Sequence, residues 1–129
     1  MLGDHPVHAT IASGDLARSR TFYEETLGLK VEPGQEGEEE GGGLMFRSGS
    51  TQLLVYESQF AGTGEQTVAT WLVNDFDAVV ADLRSRGVTF EQYDLPGVKT
   101  DAEGIASDDR FKAAWIKDPD GNILNITQM

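Results

Sequence analysis

The sequence predicts one α+β domain made of two tandem copies of a β-α-β-β-β unit. Three observations predict it: a chain of 129 residues, a strand-and-helix pattern that recurs about sixty residues on, and strand-like segments after each helix. The length suits one domain spanning 1–129, with a first module at about 5–60 and a second at about 65–129. Apolar residues at 39% are enough for a core.

The first strand is read at Val7-His8-Ala9-Thr10-Ile11-Ala12, short, rich in β-branched residues and bounded by Pro6 and by Ser13-Gly14. Asp15 then offers a helix N-cap. Leu16, Ser19, Phe22, Tyr23 and Leu27 fall near one helical face, and Gly28 is the stop. The pattern returns with the strand Val68–Val73, the cap Asp75, the face Phe76, Val79, Val80 and Leu83, and the stop Gly87. After each glycine the chain turns to strands, predicted at Leu29–Glu32, Gly43–Arg47 and Thr51–Glu57, and at Val88–Tyr93, Phe111–Lys117 and Ile123–Thr127. Asp118-Pro119-Asp120-Gly121-Asn122 reads as a hairpin turn, with Pro119 set for its second position and Gly121 for positive φ. Ser48-Gly49-Ser50 takes the matching place in the first copy. Two stretches break the regularity: Gly34–Gly42, and Leu95–Arg110, a loop long enough to act as a lid or lie disordered.

Composition excludes several classes. Ten basic residues stand against 22 acidic ones, for a net charge of −12, and the bases are scattered, so no stripe exists to hold nucleic-acid phosphates. The acidic run Glu36, Glu38, Glu39, Glu40 sits among glycines as a solvated loop and lacks the alternation of a calcium loop. Apolar runs such as Leu53–Tyr56 and Trp71–Val73 fall far short of the roughly 20 residues of a membrane span. The absence of cysteine excludes disulfides and thiolate chemistry. Met1–Pro6 shows no export signal, which makes the cytoplasm the expected location.

Asp15–Leu29 resembles the first-helix signature of the vicinal oxygen chelate superfamily, and Lys117–Leu124 resembles the hairpin that this superfamily favours before its last strand. The superfamily includes glyoxalase I, bleomycin-resistance proteins, fosfomycin-resistance enzymes and extradiol dioxygenases. The resemblance covers essentially the whole chain and implies two modules whose curved sheets enclose a cavity. It also implies that any metal would be held by the first and last strands of each module. The matching positions are His8, its repeat counterpart Val68, Asn125, and a fourth within Leu53–Tyr56, with Glu57 the nearest acid. Valine cannot ligate and an amide oxygen is a weak ligand, so His8 stands short of the three or four donors of a transition-metal site.

By alternation Asn125 faces away from Leu124 and Ile126, and Thr10 and Thr70 share its face. The expected ligand-binding residues are therefore His8, Thr10, Thr70 and Asn125, with Phe46, Tyr56 and Trp115 near the rim. His8 is read first as a pocket-lining hydrogen-bonder, with metal ligand and acid/base group as alternatives. For Trp71 and Trp115 the two readings are core, the commoner place for a large aromatic in a strand, and the mouth of the cavity.

The expected function is small-molecule binding, similar to bleomycin-resistance proteins, with no cofactor and with two chains paired as a homodimer. The alternative is a glyoxalase-like lyase or isomerase, or an extradiol-type dioxygenase, with a divalent metal on His8 and Glu57. The acidic surface is compatible with a cationic ligand.

Overall fold

The computed structural model describes residues 1–33 and 43–129. The acidic run Glu36–Glu40 lies outside them.

The first copy folds as β1 (Ala9–Ser13), α1 (Leu16–Thr21), β2 (Lys30–Val31), β3 (Gly43–Ser48) and β4 (Thr51–Glu57). Its strands form a curved four-stranded sheet in the order β1-β4-β3-β2, with β1 parallel to β4. The second copy gives β5 (Thr67–Leu72) and α2 (Phe76–Ser85). A hairpin of β6 (Asp94–Leu95) and β7 (Val98–Lys99) follows, then β8 (Ile105–Ser107), β9 (Lys112–Lys117) and β10 (Ile123–Gln128). Its sheet runs β5-β10-β9-β8. The two sheets thus repeat one topology, and β1 and β5 lie in contact along the seam.

Both helices begin at the expected aspartates: the Asp15 carboxylate accepts from the Arg18 N–H at 3.1 Å and that of Asp75 from the Ala78 N–H at 3.3 Å. The first helix is shorter than its periodicity suggested. After Thr21 the backbone widens into a π turn over Phe22–Thr26, closed by the Leu27 N–H on the Phe22 carbonyl. Each sheet covers its helix with alternate residues. Ile11, Leu44, Phe46 and Val55 pack with Tyr23; Phe76, Val80, Leu83, Ile116, Leu124 and Ile126 form the matching layer of the second copy.

The second copy departs from the expected strands. Residues 88–93 form no strand; the Glu91 N–H donates to the Trp115 carbonyl of β9 at 2.8 Å, and the Glu91 carboxylate pairs with Lys117 at 3.3 Å. The edge position goes instead to β8, inside the stretch read as a loop. The Asp101 carboxylate explains why a polar segment folds here. It accepts the N–H groups of Ile105 and Glu103, bonds that hold its acidity above that of a free aspartate, the Ile105 bond most. Gly104 then packs so closely on Phe90 and Glu91 that a Cβ would meet backbone at 2.9 Å. Among the described residues no helix is long and apolar enough to cross a membrane.

The turn Asp118–Asn122 fastens the two copies together. Asp118 accepts from its own turn through the N–H groups of Asp120 and Asn122, at 3.0 and 2.9 Å. Its other oxygen accepts from the Asn122 amide and from the Tyr23 hydroxyl of the first copy, both at 2.8 Å. Asn122 also donates to the Ala12 carbonyl at 2.8 Å, and Asp120 accepts from the Gly14 N–H and pairs with Arg18 at 2.8 Å. Gly62, in the link between copies, lies where any side chain would collide with the Asp120 carbonyl, its Cβ falling 1.8 Å from that oxygen. Burial, and then the Asp118 charge, push the Tyr23 phenol far above its ordinary pKa of 10.0.

Replacing Tyr23 with Phe removes one donor from a buried carboxylate, so the variant loses about 1–3 kcal/mol in urea unfolding. The fold holds this phenol protonated. Wild-type stability from that preference is therefore complete below pH 10 and erodes above it as the unfolded chain ionises. The difference between wild type and Tyr23→Phe accordingly narrows above pH 10, read from denaturation at stepped alkaline pH.

Candidate functional site

Partners across a ladder share a face, so the register assigns every strand residue to one side of its sheet. Thr10 pairs with Leu54 and Ala12 with Tyr56, all on the face of the first sheet turned away from α1. Thr70 pairs with Asn125, and Asn125 with Trp115, on the corresponding face of the second sheet. Thr10, Thr70 and Asn125 therefore occupy the faces expected from alternation, and Tyr56 and Trp115 share those faces.

Phe46 does not. It pairs with Leu53 on the helix side, is fully buried, and packs on the Tyr23 ring at 5.8 Å between centroids. A rim position is thus corrected to a core one: a six-residue strand tolerates one parity only, and Leu44 and Phe46 are its buried pair. Glu57 is also corrected. It lies beside Ser13, at the far end of the β1–β4 ladder from His8, roughly 15 Å away at about 3.3 Å per residue. Its side chain takes the parity opposite to His8, so the two cannot share an ion.

The register also identifies the fourth inherited position. As Thr70 pairs with Asn125 in the second copy, Thr10 pairs with Leu54 in the first. The four positions are then His8, Val68, Leu54 and Asn125, which hold one imidazole, two aliphatic groups and an amide. Among the described residues no three His, Asp or Glu side chains come together elsewhere. This donor set does not fit a transition metal.

The polar groups on these faces differ in how free they are. Asn125 is buried and its amide is used internally: Nδ2 donates to the Ala114 carbonyl at 3.2 Å, and Oδ1 accepts from the Thr127 hydroxyl. Trp115 is capped edge-on by Tyr93, with ring centroids 5.7 Å apart. His8, half-buried just before β1, has its Nδ1 shielded from solvent with no hydrogen-bond partner among the described residues.

The expected residues are not gathered in a single cavity. One cleft, about 560 Å³, opens at the seam of the two sheets. Val7, Ala9 and the turn Ser48–Thr51 with Gln52 and Leu53 make one wall, and Ala69–Leu72 of β5 the other. The Trp71 indole N–H donates to the Ser48 hydroxyl across it at 2.9 Å. Of the expected residues only Thr70 lines it. Trp71 is half-buried and serves both roles. A second cleft, about 230 Å³, lies at the other end of β1, where Thr10 and Tyr56 meet Phe60, Gly62 and Asn122. His8, Asn125 and Trp115 line neither. The seam cleft escaped sequence reasoning because its walls are small hydroxyl residues of a turn, though the pairing of Ser48-Gly49-Ser50 with Asp118–Asn122 in the repeat marked the place.

These features define a duplicated βαβββ protein with curved sheets and clefts at the seam. The family model of the Glyoxalase/Bleomycin resistance protein/Dioxygenase superfamily matches residues 5–126, and the chain belongs to that superfamily. Solved structures agree on the fold. A glyoxalase family protein from Bacillus anthracis is 18% identical, with a TM-score of 0.74 over 96% of this chain and 93% of that one. A glyoxalase family protein from Enterococcus faecalis is 22% identical, with a TM-score of 0.70 over 98% and 99%. TnmS3, an antibiotic binding protein from Streptomyces sp. CB03234, is 22% identical, with a TM-score of 0.66 over 96% of each chain. Among curated proteins none matches the chain.

Because the Asn125 amide is already satisfied, its replacement has a structural cost. Asn125→Leu leaves the Ala114 carbonyl and the Thr127 hydroxyl each short of a partner, and leucine burial offsets part of the loss. We expect the variant to fold but to lose about 1–2 kcal/mol, seen as a lower denaturation midpoint at unchanged slope.

Proposed function

We propose that the protein binds and sequesters a small molecule without a metal, as bleomycin-resistance proteins of the superfamily do. The observation that carries this reading is the inherited donor set: His8, Val68, Leu54 and Asn125 supply one good ligand where three or four are needed. The seam cleft supports it, since about 560 Å³ falls within the range of small-molecule sites. TnmS3, which shares the fold, is an antibiotic binding protein.

A second reading draws on one atom. The His8 Nδ1, shielded and without a hydrogen-bond partner among the described residues, is the kind of uncommitted imidazole nitrogen that metal-free acid/base chemistry uses. Metal-dependent lyase or dioxygenase activity is the weaker proposal because Glu57 lies at the far end of the ladder from His8.

Pairing of two chains belongs to the same proposal. Tyr56 and Phe60 leave apolar surface exposed beside the smaller cleft, at 41% and 67%. Two-fold dimers are the commonest oligomers.

Protein purified without chelators should carry far less than one equivalent of zinc, iron, manganese or nickel by elemental mass spectrometry. One equivalent, lost in His8→Ala, would overturn the metal-free reading. A thermal-shift screen should find small molecules that raise the melting temperature, since a ligand at a hundredfold excess over its Kd adds about 2.7 kcal/mol. Sedimentation at micromolar concentration should give a dimer of the 14.0 kDa chain, and a monomer throughout would count against pairing.

A further inference from the structure

The duplication makes the two ends of the molecule comparable, and they are not alike. At one end the turn Asp118–Asn122 of the second copy is bonded to β1 and α1 of the first, through Tyr23, Ala12, Gly14 and Arg18, and the smaller cleft lies beside it. At the other end its counterpart Ser48-Gly49-Ser50 faces β5. Leu83, which follows Asp75 as Tyr23 follows Asp15, can donate nothing, and the turn offers no carboxylate. The Trp71–Ser48 hydrogen bond is the recorded side-chain link there, and the 560 Å³ cleft opens beside it.

The polar groups of this cleft divide into used and free. Ser48 accepts from Trp71, the Thr51 hydroxyl donates to the Ser48 carbonyl at 3.0 Å, and the Gln52 amide donates to Glu32. The hydroxyls of Ser50 and Thr70, on opposite walls, have no partner among the described residues and are open to solvent. Val7, Ala9, Ala69 and Leu72 supply apolar surface between them.

Among the described residues the cleft is lined by no ionisable side chain, in a chain of net charge −12. The surrounding carboxylates act through water, where salt screens them over about 8 Å at physiological ionic strength. The walls act at contact, and a charged ligand there would shed water with no counter-charge to meet it, which is unfavourable. Contact chemistry therefore outweighs the surface field.

We propose that the open seam between β5 and the β3–β4 turn is the ligand site, and that it takes an uncharged molecule carrying carbonyl or hydroxyl oxygens, held between Ser50 and Thr70. The assignment rests on the small-molecule-binding reading above and names its site and ligand class.

Three fluorescent probes of similar size and different charge test it on the full-length protein: prodan (neutral, with a carbonyl), proflavine (cationic) and 1-anilinonaphthalene-8-sulfonate (anionic). Prodan should bind saturably, with a blue-shifted emission and a Kd unchanged between 0.05 and about 0.5 M salt. Proflavine binding should fade over that range, as surface attraction does. The double variant Ser50→Ala/Thr70→Val, altered at two exposed positions and checked by melting, should weaken prodan at least tenfold. Prodan binding that survives the double variant would overturn the seam assignment while leaving small-molecule binding intact. Tight proflavine binding that persists at high salt and falls in the double variant would overturn the neutral ligand class while keeping the site. Saturation by none of the three would overturn the proposal, and the metal content and thermal-shift screen judge the broader reading separately.

Discussion

The hydrogen bond from Tyr23 to Asp118 is the constraint on which the rest of the structure depends. It joins a helix of one copy to a turn of the other inside the molecule, where neither group can fall back on water. An unpaired carboxylate at that depth would be costly, so Asp118 gathers four donors: two backbone N–H groups, the Asn122 amide and the phenol. The turn is thereby shaped and anchored by one side chain. Through Asp120 and Asn122 the same turn reaches Gly14, Arg18 and Ala12, which positions β1 against the second copy.

This gives the two recognisable segments a physical meaning. The aromatic pair Phe22-Tyr23 and the run Asp118-Pro119-Asp120-Gly121-Asn122 are two halves of one joint, and neither lines the larger cleft. Such segments identify a fold without reporting on its chemistry. The chemistry has to be sought on the opposite faces of the sheets, and there the copies have diverged. His8 corresponds in the repeat to Val68, and Leu54 to Asn125. Of these four positions, one holds an imidazole, two hold aliphatic groups and one an amide.

The divergence at the two ends follows the same logic. A tyrosine and an aspartate fasten one end, where a cleft of about 230 Å³ remains, whereas a leucine and a serine turn leave the other with a cleft of about 560 Å³. Duplicated folds commonly leave clefts where their halves meet, and here the loss of one polar joint determines which meeting place holds the wider one. The indole of Trp71, tied to Ser48, keeps the two walls at a set separation without filling the gap between them.

Much of this was legible in the chain. Periodicity and the paired caps Asp15 and Asp75 located both helices, the repeat located both sheets, and alternation placed Thr10, Thr70 and Asn125 on the right faces, because these are local properties of a backbone with fixed periods. Other features depended on partners distant in sequence. Phe46 belongs to the core because Tyr23 lies over it, and β8 forms because Asp101 organises a turn that brings Ile105 alongside β9. Asn125 turns inward because Ala114 and Thr127 satisfy its amide. By itself the sequence determined the duplicated α+β architecture, since that follows from which residues recur at which spacing. Only the tertiary structure decided which surfaces meet, and so which end of the seam is fastened and which holds the wider cleft, because that rests on hydrogen bonds between residues up to 110 positions apart.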